Sequence, residues 1–140
     1  MKKLLLIAVL LTGLFASAQN QTDYYKVTAT ALYQKYSSQT KWTMVKEQFG
    51  LNIPVTLTGN VLTINAELVS VFQIYGTASP FSGRSASGEK YDGKSWRALD
   101  IVGNKKCSID ILRFEDSDAR VICVNYWDEV PQFSLRYFID

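Results

Sequence analysis

One segment of the chain matches the pattern of a phosphate-binding loop. Gly88–Ser95, which reads GEKYDGKS, fits G-x-x-x-x-G-K-[ST], where glycine amides cradle the phosphates, the lysine reaches the terminal phosphate and the hydroxyl binds magnesium. This chemistry requires a buried strand before the loop and a helix after it, with the helix N-terminus facing the anion. Here the polar tract Ser82–Ser87 precedes the match and the strand-like Trp96–Val102 follows it. We therefore expect no nucleotide binding at this segment.

The chain has no histidine, which narrows the chemistry open to it. Histidine is the usual general base near neutral pH and the commonest metal ligand. Its absence excludes Ser-His and Cys-His nucleophilic pairs. No set of residues predicts a metal site or a cofactor, and we expect a protein that is not an enzyme.

Carboxylates are the remaining acid–base groups, since two of them suffice for glycoside hydrolysis. The acidic residues of 115–118 crowd one predicted hairpin tip, where solvation explains them. Asp100 and Asp110 lie within predicted strands and either side chain can point inward. A buried aspartate on a strand more often pairs with an arginine, such as Arg97 or Arg113, than acts in catalysis. No pair of carboxylates is predicted to serve as acid and base.

The two cysteines, Cys107 and Cys123, are candidates for a disulfide if the chain is exported. A tight turn between Asp116 and Ser117 sets Cys123 opposite Asp110 and offsets the two sulfurs by about three residues, or about 10 Å along the strands. A bridge needs α-carbons within about 7 Å. Either a bulge shifts the pairing and a disulfide forms, or both thiols are buried and reduced.

Aromatic side chains are the strongest candidates for a binding site. Tyrosine and tryptophan rings combine flat apolar faces with a polar edge, which suits sugar rings and partner proteins. Two of the candidates stand at a strand end, and the others lie within or directly after a serine- and glycine-rich stretch at 77–95. The residues predicted to bind a ligand or partner are Phe81, Tyr91, Trp96, Tyr126 and Trp127. Packing in the core is the competing explanation for each.

The first eighteen residues have the features of a secretory signal. Lys2 and Lys3 precede the apolar run Leu4–Leu11, and Ala16-Ser17-Ala18 is a small-x-small cleavage site. The chain has 15 basic and 13 acidic residues, so removing Lys2 and Lys3 leaves 13 of each. A neutral chain has little electrostatic reason to bind nucleic acid or an anionic membrane. We expect residues 19–140 to form one domain, periplasmic or secreted, with no transmembrane segment after cleavage.

The elements that position these residues follow a period of two. Gly59-Asn60 is typical of a two-residue hairpin loop, and pairing outward from it sets Leu57 opposite Leu62 and Val55 opposite Ile64. Turn chemistry and hydrophobic alternation thus select the same register.

Further strands are predicted from β-branched and aromatic residues. They cover 42–45, 71–75, 96–101, 107–114, 121–126 and 133–139. Residues 24–36 alternate as a strand does, although a helical face also fits them, and their tyrosine, valine and threonine content favours the strand. The stretch at 77–95 is predicted to be a long flexible loop. The fold class is therefore all-β, a single-domain antiparallel meander of about eight or nine strands, closed as a barrel or packed as a sandwich.

Several of these features follow one another in a definite order along the chain. They are Trp42, the hairpin Ile53–Ala66, Phe72–Tyr75, Trp96–Ile109 and Val124–Tyr126. This order resembles that of short exported β-meander proteins of Bacteroidetes to which no activity is assigned. The resemblance implies a fold and supplies no catalytic residues.

Three functions are compatible with this sequence. The first is an exported binding protein for a small apolar or sugar-like ligand, held in a cavity beneath the 77–95 stretch. The alternative is an envelope protein-interaction module, an inhibitor or assembly accessory, with a filled core and an exposed aromatic patch around Trp127. The third is a histidine-free hydrolase that uses two carboxylates.

Overall fold

The computed structural model describes residues 21–139, and the predicted signal at 1–18 lies outside the described residues. Within that range the chain forms nine strands joined in antiparallel pairs. Their bounds are β1 Thr22–Lys35, β2 Thr43–Gln48, β3 Ile53–Thr58, β4 Val61–Asn65, β5 Val69–Arg84, β6 Lys90–Asp100, β7 Lys105–Phe114, β8 Arg120–Tyr126 and β9 Gln132–Ile139. The predicted all-β antiparallel meander is confirmed.

The first strand closes the sheet into a barrel of eight strands. The N-terminal part of β1, Thr22–Val27, pairs with β3, while residues from Val27 to Lys35 pair with β9. β2 lies outside the closed barrel and pairs with residues 30–34 of β1, beyond the end of the β3 ladder. The ambiguous N-terminal segment is thus one long strand, whose backbone hydrogen bonds are supplied by three different partners.

The β3–β4 hairpin has the predicted register. Val55 lies opposite Ile64 and Leu57 opposite Leu62, and Gly59 has a positive φ of 57°. A positive φ at the first of two loop residues matches the twist of the flanking strands and is accessible to glycine without steric strain.

The stretch at 77–95 is not the predicted loop. β5 continues to Arg84 and β6 begins at Lys90, so most of this stretch forms a hairpin in which Phe81 lies opposite Gly93. A Cβ atom on Gly93 would lie 2.6 Å from the backbone oxygen of Ile111 and 2.8 Å from the ring of Phe81. Here glycine and serine permit close packing between neighbouring strands, so their abundance does not mark a flexible loop.

The two faces of the sheet are buried differently. The inner face of the barrel holds one apolar core, to which all eight barrel strands contribute. Its most fully buried members include Val27, Val55, Leu62, Ile64, Phe72, Ala98, Ile109, Ile122 and Val124. β8 is buried on both faces, because Val121, Cys123 and Asn125 are also buried although they point away from this core.

Candidate functional site

The outer face of β8 forms the floor of a cavity of about 680 Å³. Its floor consists of outward-pointing residues of β7, β8 and β9, together with Tyr33 of β1. The β5–β6 hairpin provides one wall through Phe81, Tyr91 and the turn residues 84–87, and Trp42 and Trp127 stand at another side. We refer to this space as the outer-face cavity. It lies beneath the stretch that the sequence places over a ligand, but outside the barrel.

Strand register orders the floor into rows of increasing polarity. The first row is apolar, because Leu112, Val121 and Phe138 lie side by side on β7, β8 and β9. Phe81, Tyr91 and Phe114 border it through edge-to-face ring contacts, with centroids 6.3 Å apart for Phe81–Tyr91 and 5.6 Å apart for Tyr91–Phe114. This end of the cavity therefore suits an apolar or aromatic group.

The next two rows are polar. In one of them Asp110, Cys123 and Arg136 are neighbours across β7, β8 and β9. In the other, Asn125 lies beside Ser134. Successive rows are two residues apart along each strand, which is about 7 Å. The apolar end and the polar rows thus lie within the reach of one small molecule.

Asp110 is held by one of its carboxylate oxygens. The Asn125 side-chain amide donates to its Oδ2 at 2.9 Å, while Oδ1 is buried and has no hydrogen-bond partner among residues 21–139. Burial raises the pKa of Asp110 above its usual range, against the lowering effects of the Ser95 hydroxyl, the Asn125 amide and the positive charge of Arg136. A buried carboxylate oxygen without a hydrogen-bond partner lowers the stability of the folded protein.

Two further polar groups of the floor are also buried without a partner. They are the Nε of Arg136 and the Oγ of Ser134. The guanidinium of Arg136 is stacked 3.8 Å from the ring centroid of Tyr33, which fixes its plane. Such groups are uncommon in native interiors, so a cluster of them in one cavity requires an explanation.

The tryptophans at the rim are tied to the polar rows. Trp127 Nε1 donates to Ser108 Oγ at 2.8 Å, and the Asn125 amide donates to the same hydroxyl at 3.2 Å. The rings of Trp42 and Trp127 meet edge to face at 5.7 Å, with the ammonium of Lys35 over both. Trp127 is 44% exposed, so its ring is both anchored and accessible.

Three of the five predicted binding residues line this cavity. They are Phe81, Tyr91 and Trp127. Trp96 packs against the barrel core instead, and Tyr126 is buried there, stacked on Phe133 with centroids 4.5 Å apart. The Tyr126 hydroxyl donates to Asp100, and its pKa is raised by burial first and then by that carboxylate. Their inner-face positions exclude Trp96 and Tyr126 from the outer-face cavity.

The cysteines are free and lie on opposite faces of the sheet. Cys107 points into the barrel core and Cys123 onto the cavity floor. Cys123 lies opposite Asp110, as the tight-turn register predicts. Burial raises the pKa of Cys107 to about 11 and that of Cys123 to about 12, so both are thiols at neutral pH. Of the two alternatives left open by the sequence, the structure has the reduced pair.

The other predicted chemical groups have local structural roles. Gly88–Ser95 continues into strand β6 and not into a helix, so the match lacks the helix N-terminus that binds phosphate. At the 115–118 tip, Ser117 donates from its amide and hydroxyl to Glu89, and Arg113 pairs with Asp118. Among residues 21–139, no group of three or more cysteine, aspartate or glutamate side chains is arranged to hold a metal ion.

The polar floor is what sequence reasoning missed. Asp110 was expected to pair with Arg97 or Arg113, yet the arginine whose charge acts on it is Arg136, two strands away. The available signal was the alternation in β9, which sets Ser134 and Arg136 on the face opposite Leu135 and Tyr137. The β8–β9 pairing then brings that face to Asp110.

A scan against protein-family models and searches of curated proteins and of solved structures find no match to this chain. In the part of the chain that the structure describes, no helix has the length and apolar character needed to cross a membrane.

Proposed function

We propose that this protein binds a small amphiphilic molecule, with an apolar or aromatic body and a polar head, in the outer-face cavity. One observation carries the proposal: Asp110, Ser134 and Arg136, each with a buried polar atom that has no hydrogen-bond partner among residues 21–139, line one cavity whose other end is aromatic. Each unsatisfied buried group costs about 1–3 kcal/mol, which a ligand with complementary donors and acceptors offsets. Typical ligand sites likewise combine apolar and aromatic side chains with convergent polar groups.

The proposal is one of binding without catalysis. Asp110 is the single carboxylate among the residues that line the cavity, so an acid and base pair is lacking there. Cys123, the one thiol on the floor, has its pKa raised by burial and is a poor nucleophile. The protein as proposed acts after export, in the periplasm or outside the cell, because the pattern of residues 1–18 is that of a secretory signal.

A retained ligand tests this proposal directly. We would purify the protein from an exporting host and compare native with denaturing mass spectra, and we would titrate it with anilinonaphthalene sulfonate, a fluorescent probe with aromatic rings and an anionic head. We expect an extra mass lost on denaturation, or binding of one probe per chain.

A matched pair of variants locates the binding. Leu112→Trp fills the apolar end of the cavity, whereas Leu68→Trp makes the same change at a residue 84% exposed in the β4–β5 turn. We expect Leu112→Trp to abolish binding and Leu68→Trp to leave it unchanged, with circular dichroism showing that both fold. Equal binding by the two variants, or no ligand and no probe on the wild type, would refute the proposal.

A protein-interaction role is the second candidate, favoured by β2. All six residues of this strand are exposed, and among residues 21–139 it pairs only with β1, so no described residue covers its other edge. An open edge accepts an extended segment of another chain. The test compares proteins that co-purify with the wild type, with a Val45→Asp/Phe49→Asp variant and with Leu112→Trp. A partner lost only from the β2 variant would favour this role.

A further inference from the structure

The polar rows of the outer-face cavity hold opposite charges that do not form an ion pair with each other. Asp110 and Arg136 lie in one row with Cys123 between them, so their α-carbons are about two strand spacings, or about 10 Å, apart. Neither side chain forms an ion pair with any other side chain of residues 21–139. The floor therefore presents a negative and a positive group in one row, with the thiol of Cys123 between them.

Each of these charged groups is held by a neighbour and has a buried polar atom with no hydrogen-bond partner among residues 21–139. The Asn125 amide donates to Oδ2 of Asp110, and Oδ1 is the buried atom without a partner. Tyr33 stacks on the guanidinium of Arg136, and Nε is the buried atom without a partner. Because Asn125 orients the Asp110 carboxylate and Tyr33 orients the Arg136 guanidinium, the site is organised before a ligand binds.

The charges expected on the polar head of the ligand follow from Asp110 and Arg136. An anion alone would place a negative group near Asp110, and a cation alone would place a positive group near Arg136. A neutral diol offers hydrogen bonds but no charge to either group, and charge-assisted hydrogen bonds are about twice as strong as neutral ones. A molecule that carries both an ammonium and a carboxylate satisfies the two positions together.

We infer that the ligand is a zwitterion of the amino-acid class, with its carboxylate on Arg136 and its ammonium on Asp110. The apolar row of Leu112, Val121 and Phe138 begins one row away, about 7 Å along the strands. That distance places an apolar or aromatic substituent of the same molecule at the aromatic end. A free amino acid and a short peptide share this chemistry. The inference rests on the proposed function, because it names the class of ligand for the same cavity.

Calorimetric titration of the full protein with head-group analogues tests the inference. The probes are L-phenylalanine, its amide, which lacks the carboxylate, N-acetyl-L-phenylalanine, which lacks the ammonium, and the dipeptide phenylalanyl-glycine. We expect L-phenylalanine or the dipeptide to bind, and each head-blocked analogue to bind about 10-fold or more weakly, because each loses a charge-assisted hydrogen bond. The tighter of the first two identifies the source as an amino acid or a peptide.

Charge-neutral variants assign each end of the head group. Asp110→Asn should remove the preference for the free ammonium over the N-acetyl form, and Arg136→Gln should remove the preference for the carboxylate over the amide. Asp92→Asn and Arg97→Gln make the same changes outside the cavity and should keep both preferences. If a variant fails to fold, the analogue series on the wild type still decides.

Three outcomes would overturn the inference. They are equal binding of the blocked and free forms, binding of 3-phenylpropionate as tight as that of L-phenylalanine, and binding of methyl glucoside in place of every zwitterion. Failure of all zwitterions while anilinonaphthalene sulfonate still binds, and is lost in Leu112→Trp, would refute the zwitterion alone. Failure of the dye as well, together with the absence of a retained ligand in the native mass spectrum, would refute the proposed function.

Discussion

The two faces of β8 are buried to a similar extent but hold different contents. On the inner face, Ile122 and Val124 pack into an apolar core that all eight barrel strands fill. On the outer face, Cys123 and Asn125 are also buried, but they border a cavity of about 680 Å³. Burial alone therefore does not distinguish a packed core from a binding site. The distinguishing feature is whether the buried polar groups have partners.

We also expect the two faces to contribute differently, the inner face to stability and the outer face to ligand binding. Removing atoms from a filled core leaves a cavity and lowers the free energy of unfolding. Removing atoms from the wall of an existing cavity has a smaller effect on stability and a larger one on binding. Paired substitutions on the two faces measure this separation.

The largest effect is expected from the core. Phe72 is fully buried on the inner face, and Phe72→Ala should lower the free energy of unfolding by about 3–5 kcal/mol. Phe81→Ala, the same change on the half-buried cavity wall, should lower it by about 1–2 kcal/mol and weaken ligand or probe binding. Urea unfolding of both variants provides the measurement. Equal losses would mean that the hairpin wall is part of the core.

A smaller loss of stability is expected at the wall itself. Gly93→Ala brings a Cβ against the backbone oxygen of Ile111 and the ring of Phe81, so it should cost about 1–3 kcal/mol and displace that ring. In Gly83→Ala, the nearest atoms belong to the side chain of Tyr91, which can rotate away. Thermal unfolding and probe binding should therefore suffer less at Gly83. The reverse order would show that the β5–β6 hairpin does not press on β7.

A pH-dependent effect is expected from the polar floor. Because the folded-state pKa of Asp110 is raised, ionising it favours the unfolded chain. The contribution of protonated Asp110 to the free energy of unfolding is fully present below the unfolded pKa of 3.8. It is lost as the pH rises through the raised pKa of the folded state. Relative to Asp110→Asn, the wild type should thus lose stability as the pH rises above about 4. Urea midpoints of both proteins, measured across that range, would contradict this if their difference stayed constant.

No effect is expected from reduction. Since Cys107 and Cys123 lie on opposite faces, dithiothreitol should leave the urea midpoint unchanged. Alkylation should be slow in the native protein, because both thiols are buried with pKa values of about 11 and about 12. When the protein is denatured without reductant and then alkylated, the intact mass should show two alkyl adducts, one on each cysteine. A mass short by two hydrogens and free of adducts would reveal a bridge.

Local signals in the sequence predicted the fold better than they predicted the site. The Gly59-Asn60 turn and the alternation around it suffice for the β3–β4 register, because both act between neighbours in the chain. Aromatic content identified Phe81, Tyr91 and Trp127. The polar floor depends on Arg136, Ser134 and Asp110 meeting across three strands: the local alternation in β9 indicates which face Ser134 and Arg136 share, but not that this face meets Asp110. The hairpin at 77–95 was missed because glycine and serine promote both disorder and close strand packing.

The pairing of β1 with three different strands has a consequence for the chain during its synthesis. Its partners β2 and β3 follow it directly, so two of its ladders can form early, whereas β9 is synthesised after every other strand. Until Gln132–Ile139 emerges, the residues of β1 that receive it present free amide and carbonyl groups, the kind of edge to which foreign strands add. The seam between β1 and β9 can therefore close only after β9 has emerged, and a nascent chain that stops short of β9 leaves this edge exposed to aggregation.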